Sequence, residues 1–256
     1  MIIDTHCHLD FPEFDCDRRE VIERAKNFGV NYIINVSSSI DGCFKTLELI
    51  DSYRNVFGTL GIHPHYADDI DNKCFDKIKD ALSLKNKKIV AIGEIGLDYY
   101  KNFSSKEGQK KLFRNFLDMA KEFDLPIMVH SRDAFEDTLN ILKEKEIKNA
   151  VFHCFSGAQD DLKAVLENGF FVSYTANITF KKADILRKIV KETPLDKFFV
   201  ETDAPFLAPQ AKRGERNEPA YLSYLVEELS NIFGIEKQKI EEATSKNAVN
   251  FFKLKI

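Results

Sequence analysis

Tryptophan is absent from this 256-residue chain and phenylalanine occurs 22 times, and no functional reading attaches to either count. The five cysteines, Cys7, Cys16, Cys43, Cys74 and Cys154, are odd in number and form no Cys-x-x-Cys pair. That argues against a disulfide framework or a thiolate zinc knot and suits a reducing cytoplasm. No apolar run is long enough to cross a bilayer. No basic segment followed by an apolar core opens the sequence, so a secretory leader is not expected. Neither sign of charge dominates: 37 basic side chains stand against 41 acidic ones, a net charge of -4. That balance excludes a protein that coats nucleic acid through bulk positive charge. It leaves phosphate chemistry open, because bound cations can make an acidic protein locally positive. A Gly-rich phosphate turn of the kind that opens many doubly wound sheets is also missing.

What is present is a repeating order of elements. At 44% hydrophobic and 30% charged residues, the span 1–256 reads as one globular domain with ample core. Strands are expected at 2–6, 32–36, 57–62, 89–94, 127–130, 150–153, 171–174 and 198–201. Several are apolar throughout, as parallel strands covered on both faces are. Helical periodicity marks 18–28, 42–53, 76–84, 108–123, 134–145, 159–167 and 182–191, then 221–233 and 237–252 after the last strand. Strand then helix, repeated, is the order of an α/β fold of the (β/α)8 TIM-barrel type. A doubly wound open sheet is the alternative, but it rarely needs so many units. The stretch 204–220 is expected to be the longest loop without regular structure, and such loops often carry function.

All six histidines, His6, His8, His63, His65, His130 and His153, fall at or just past the C-terminal end of an expected strand. Barrel active sites are built on that face. In Ile2-Ile3-Asp4-Thr5-His6-Cys7-His8 the alternation of a strand points His6 and His8 the same way and Cys7 the other. Glu94 closes the fourth expected strand and Asp203 follows the eighth. In a closed barrel the first and eighth strands are neighbours, which brings Asp203 to His6 and His8. His130 and His153 end strands five and six, next to Glu94. The placement predicts a pair of divalent cations: one held by His6, His8 and Asp203, the other by His130 and His153, with Glu94 bridging. Plainer readings exist. His130 and His153 can each be a strand-end histidine bonded to a backbone carbonyl. Asp203, before Ala204-Pro205, can be a helix cap. His63 is a third ligand or a substrate contact. Arg132 and Arg213 suit an anionic substrate, because guanidinium forks match phosphate oxygens; for Arg216 a surface charge is the simpler reading. Cys7 and Cys154 are read as packing.

These residues, in order, resemble the TatD family of metal-dependent deoxyribonucleases, within the amidohydrolase-like barrel superfamily. The resemblance spans the chain and rests on Asp4-Thr5-His6-Cys7-His8-Leu9, Gly61-Ile62-His63-Pro64-His65, Gly93-Glu94-Ile95-Gly96-Leu97-Asp98-Tyr99-Tyr100, Val129-His130-Ser131-Arg132-Asp133-Ala134, His153-Cys154-Phe155-Ser156-Gly157, Glu201-Thr202-Asp203-Ala204-Pro205 and Arg216-Asn217-Glu218-Pro219. It implies a barrel, a divalent metal centre and exonuclease activity on DNA. It places metal ligands on His6, His8, Glu94, His130, His153 and Asp203. Gln210-Ala211-Lys212 stands where family members often carry a proline and an aromatic residue, a departure that bears on substrate preference.

The expectation is thus a monomeric cytoplasmic hydrolase with no membrane partner, holding two Zn, Mg or Mn ions and cutting DNA, single-stranded or at an end, by metal-activated water. Asp203 and Glu94 are the catalytic carboxylates, and His63, Arg132 and Arg213 orient the phosphate. Two rivals remain at this point. One is an amide, lactone or phosphotriester hydrolase built on the same centre. The other is a phosphate- or nucleic-acid-binding protein whose metal is structural.

Overall fold

A computed structural model describes residues 1–101 and 103–256 of the chain. Its strands are β1 (Ile2–Cys7), β2 (Val30–Val36), β3 (Val56–Leu60), β4 (Ile89–Asp98), β5 (Ile127–Arg132), β6 (Ala150–Phe152), β7 (Phe171–Tyr174) and β8 (Phe198–Val200). They pair in sequence order, and all the ladders are parallel. The helices are α1 (Arg18–Asn27), α2 (Ile40–Ser52), α3 (Asn72–Ser83), α4 (Lys106–Phe123), α5 (Phe135–Glu144), α6 (Gln159–Glu167), α7 (Asp184–Glu192), α8 (Leu222–Phe233) and α9 (Lys237–Phe251). This is the expected (β/α)8 barrel.

The ends of the sheet meet. The N–H of Asp203 donates to the His6 carbonyl and that of His8 to the Ala204 carbonyl, each at 2.8 Å. Below them the buried Asp4 carboxylate accepts from Thr202, at 3.0 Å from its N–H and 2.6 Å from its hydroxyl. Asp4 is therefore a side-chain rung where the β1–β8 ladder is broken. Burial pushes its carboxyl up to about 7, against the pull of the Thr202 bonds.

Every residue of β1, β3 and β4 is buried, the polar Asp4, Thr5, His6, Thr59, Glu94 and Asp98 among them, as in parallel strands covered on both faces. Ile3, Ile34, Phe57, Val90, Met128, Val151 and Phe199 come from seven different strands and cluster with Ala248, Phe252 and Leu254. They fill the barrel interior, and the α9 segment closes its lower end. Residues on the alternate strand face, such as Ile33, Val56, Ile127 and Phe198, join the larger core beneath the helices.

Local signals set the helix starts. Ser39 accepts from Gly42 N–H at the start of α2, Ser105 from Gly108 N–H at α4, and Asp71 from Cys74 N–H at α3. The Asp71 cap starts α3 at Asn72, ahead of the expected residue 76. The stretch 204–220 is more ordered than the sequence predicts, with single 3-10 turns at Gln210–Lys212 and Pro219–Tyr221. β4 runs on to Asp98 and β5 to Arg132, past their expected ends, and both extensions lie at the mouth.

Candidate metal centre

His6 lies on β1 and His8 one residue beyond it, and the alternation of the strand brings both buried imidazoles to one point. Their Nε2 atoms are 3.2 Å apart. Asp203 Oδ1 stands 3.6 Å from the first and 3.4 Å from the second. Glu94 Oε2 stands 3.7 and 3.8 Å from the same nitrogens. Donors about 2.1 Å from a tetrahedral cation lie about 3.4 Å from one another. His6, His8 and Asp203 are spaced as ligands of one ion, and Glu94 Oε2 lies near both imidazoles at a distance too long for a hydrogen bond.

The other oxygen of the same carboxylate serves a second group. Glu94 Oε1 is 2.8 Å from His130 Nδ1 and 2.9 Å from His153 Nε2, and those nitrogens are 3.3 Å apart. The carboxylate contacts here have the length of charge-assisted hydrogen bonds, as expected while the imidazoles hold protons that a cation would displace. Glu94 thus faces two cages with one oxygen each.

Glycine allows β4 to carry Glu94 into this position. A Cβ on Gly93 would lie 2.6 Å from Met128 Cβ, and one on Gly96 would lie 2.0 Å from the His130 carbonyl oxygen. β4 can approach β5 this closely only without side chains at those two positions. Asp203 sits at φ +56°, a left-handed conformation that Asp tolerates. It caps no helix, because the next helical turn is Gln210–Lys212.

The far nitrogens of two imidazoles, His8 and His130, have hydrogen-bond partners that turn a lone pair to the cages. His8 Nδ1 is 2.7 Å from the Val36 carbonyl oxygen, which can only accept, so the proton is on Nδ1. His130 Nε2 is 3.2 Å from Asp98 Oδ2. His153 Nδ1 faces Glu201 Oε1 at 3.4 Å without hydrogen-bond alignment. The other Asp98 oxygen accepts from the N–H groups of Tyr100 and Lys101, so the carboxylate cannot swing. Partners of this kind orient metal-binding histidines. His6 Nδ1 and Glu201 Oε2 are buried with no hydrogen-bond partner among the described residues.

His63 differs. Its Nδ1 accepts the N–H of His65 at 3.2 Å, as the cap of the turn Pro64–Tyr66. In the neutral ring the proton is then on Nε2, which points toward Glu94 Oε1 at 3.7 Å. His63 therefore presents a donor to the centre and has no free lone pair there. His65 Nε2 pairs with Asp98 Oδ2 at 2.9 Å.

The charges follow from these contacts. Burial opposes a proton on His8, but Asp203 and then Glu94 hold it, up to about 9. His153 is raised well above the usual range by Glu94 and Glu201, also against burial, and His130 is raised by Asp98 and Glu94. Burial and the neighbouring imidazoles hold His6 and His63 well below it. Glu94 stays ionised in spite of burial because of the His153 and His63 imidazoles and the His130 bond. No lysine or arginine pairs with Glu94 among the described residues; its partners are imidazoles. A donor set of imidazoles and carboxylates, without thiolate, suits Zn or Mn.

The sequence matches the family described as "TatD related DNase" over residues 3–253. The chain belongs to the TatD family. YabD of Bacillus subtilis, named an uncharacterized metal-dependent hydrolase, is 38% identical to this TatD-family chain over 256 residues, covering 99% of this chain and 100% of its own length. A Methanocaldococcus jannaschii protein of the same description is 34% identical over 254 residues, covering 99% and 98% of the two chains. The crystal structure of YjjV, a TatD homologue of Escherichia coli K12, is similar at a TM-score of 0.95 and 29% identity, covering 99% of this chain and 98% of that one. Membership in this family of metal-dependent hydrolases makes the chain an enzyme.

The structure brings together His6, His8, Glu94, His130, His153 and Asp203, and places His63 beside them. Arg132 and Arg213 are exposed on the rim: Arg132 stacks on Tyr100 at 3.9 Å and Arg213 on Phe180 at 4.3 Å. Arg216 is not a free surface charge. It pairs with Asp17 at 2.7 and 2.8 Å and stacks on Phe14. Its neighbour Glu218 pairs with Arg24, and Asn217 donates to the carbonyls of Thr202 and Phe206 on either side of Asp203. Sequence reasoning gave no role to Asp98 or Glu201. Spacing holds a signal for Asp98, which is four residues from Glu94 on one strand; Glu201 lies just past the end of β8 and has no such signal. No helix among the described residues is long and apolar enough to cross a membrane.

Proposed function

We propose that this TatD-family enzyme is a deoxyribonuclease that hydrolyses phosphodiester bonds of DNA from an end, using two divalent cations drawn from Zn, Mn and Mg. The observation that carries the reading is the division of Glu94 between two cages, with rim arginines that have no acidic partner among the described residues. His6, His8 and Asp203 would hold one cation and His130 and His153 the other, with a Glu94 oxygen offered to each. A bound pair supplies charge stabilisation at the phosphoryl and leaving oxygens and lowers the pKa of water from about 16 toward about 7. Asp203, the more open of the two carboxylates at 14% side-chain exposure against 4% for Glu94, accepts the proton of the attacking water. Glu94 fixes the separation of the cages. His63 Nε2–H donates to a phosphoryl oxygen, and Arg132 and Arg213 hold phosphates along the strand.

Among the described residues the second group offers His130, His153 and Glu94 to its cation, with His63 nearby but turning an N–H to it, which is fewer than the four protein ligands of a closed structural zinc site. Free guanidinium groups favour an anionic substrate over a neutral amide, lactone or phosphotriester. End-labelled oligonucleotides assayed beside a neutral-ester and cyclic-amide panel, with and without chelator, test the reading. Asp203→Asn should lower kcat on DNA by about 10²–10⁴-fold with an unchanged circular dichroism spectrum. Wild-type turnover in that variant, or faster turnover on the neutral panel, refutes it.

A further inference from the structure

We infer that Asn217 is a positioning residue: it holds the left-handed turn that aims the Asp203 carboxylate at the cage of His6 and His8. This rests on the reading of that cage as a cation site. Asp203 sits at φ +56°, a conformation that a residue with a side chain keeps only where its surroundings fix it. From Thr202 to Phe206 every backbone carbonyl is taken. That of Asp203 accepts the Phe206 N–H at 2.9 Å, and that of Ala204 the His8 N–H at 2.8 Å. The other three belong to Asn217. Its side-chain amide donates to the carbonyls of Thr202 at 2.9 Å and Phe206 at 2.6 Å, and its backbone N–H to that of Pro205 at 3.1 Å. Its amide oxygen accepts the Glu218 N–H at 3.0 Å. Asn217 is fully buried.

Asparagine is the shortest side chain that offers two donors and an acceptor at once; ionised Asp only accepts, and Ser has a single donor. The residues on either side fasten it to the unit that carries the imidazoles. Arg216 pairs with Asp17 at 2.7 Å and Glu218 with Arg24 at 2.6 Å. Asp17 immediately precedes α1 and Arg24 lies within it, in the segment that follows β1. His6 and His8 thus come from β1 and its end, and the turn that carries Asp203 is tied back to α1. A cation accepts its donors only within about 0.2 Å of their proper distance. A carboxylate on a turn free to relax meets that limit poorly, so the latch bears on metal affinity as well as on the fold. Arg213 lies on the loop that the latch closes, so turnover alone would mix two effects, and metal affinity separates them.

The test is a double-variant cycle read on the metal. Asn217→Asp keeps the shape of the side chain but turns an anion toward two carbonyl oxygens. Zinc affinity is measured by chelator competition for wild type, Asn217→Asp, Asp203→Ala and the double variant, with the melting temperature of each metal-free protein beside it. Asn217→Asp should weaken zinc binding by about tenfold or more in the wild-type background. Where Asp203 is already alanine, the same change should cost no measurable affinity, although its drop in melting temperature persists. Equal zinc penalties in the two backgrounds, or no penalty in either, overturn the positioning role. If Asn217→Asp does not fold, Asp17→Asn at a partly exposed pair takes its place in the cycle. It should weaken zinc binding about threefold, toward the low end of coupling carried through packed side chains, and again only where Asp203 is present. Failure of the cage reading shows separately and sinks both: Asp203→Ala alone then binds zinc as wild type does.

Discussion

Metal binding should release protons, and the amount follows from the contacts of His8. In the metal-free protein Asp203 and Glu94 hold the His8 proton up to about 9 although the ring is buried. A cation can use Nε2 only after that proton leaves, because Nδ1–H is committed to the Val36 carbonyl. At pH 7 the proton lies about two pH units below its release point, which costs the first cation about 2.7 kcal/mol, or a hundredfold in affinity. The sign is fixed: the proton is present below about 9 and gone above it, so affinity rises with pH and levels off beyond 9. His130 and His153 are raised too and steepen the rise for the second cation. Calorimetric titration of chelator-stripped protein with Zn or Mn, in two buffers of different ionisation enthalpy, counts the protons. We expect at least one proton released per first ion at pH 7 and about a tenfold gain in affinity per pH unit between 6 and 8. Affinity independent of pH over that range, with no buffer-dependent heat, refutes the assignment of His8 Nε2 to a cation.

Three further outcomes follow from the same geometry. Glu201→Gln keeps an acceptor for Cys154 N–H but removes the charge beside His153 Nδ1, and should lower affinity for the second cation about 10–100-fold in a chelator competition at pH 9. His63→Ala removes the donor held by the His65 N–H, and should lower kcat/KM on DNA by roughly tenfold, about 1.4 kcal/mol, while metal content by mass spectrometry stays as in wild type. Arg216→Ala breaks a partly exposed pair with Asp17 and a stack on Phe14; after screening the loss is about 1–2 kcal/mol, read as a melting-temperature drop of a few degrees.

The barrel was legible because parallel strands buried on both faces read as apolar runs, and the cages because donors at strand ends share a face. What escaped has a physical pattern. β4 and β5 were ended at Glu94 and His130 where polar residues begin, yet at a barrel mouth the strands carry polar residues inward, so Asp98 lay outside the expected strand. Arg216 and Asp17 are 199 positions apart and Glu218 and Arg24 are 194 apart, and no local spacing announces such a clamp. The role of His63 turned on which nitrogen meets a backbone N–H, a matter of rotamer that a sequence does not contain.

The seam between the first and last strands has a consequence for biosynthesis. His6 and His8 leave the ribosome early, but Asp203 and the Thr202 rung for Asp4 come almost two hundred residues later. Until then the leading strand is paired on its β2 side alone and its imidazoles lack Asp203. The cage that Asp203 completes is therefore the last of the two to be assembled, because Glu94, His130 and His153 all precede β8.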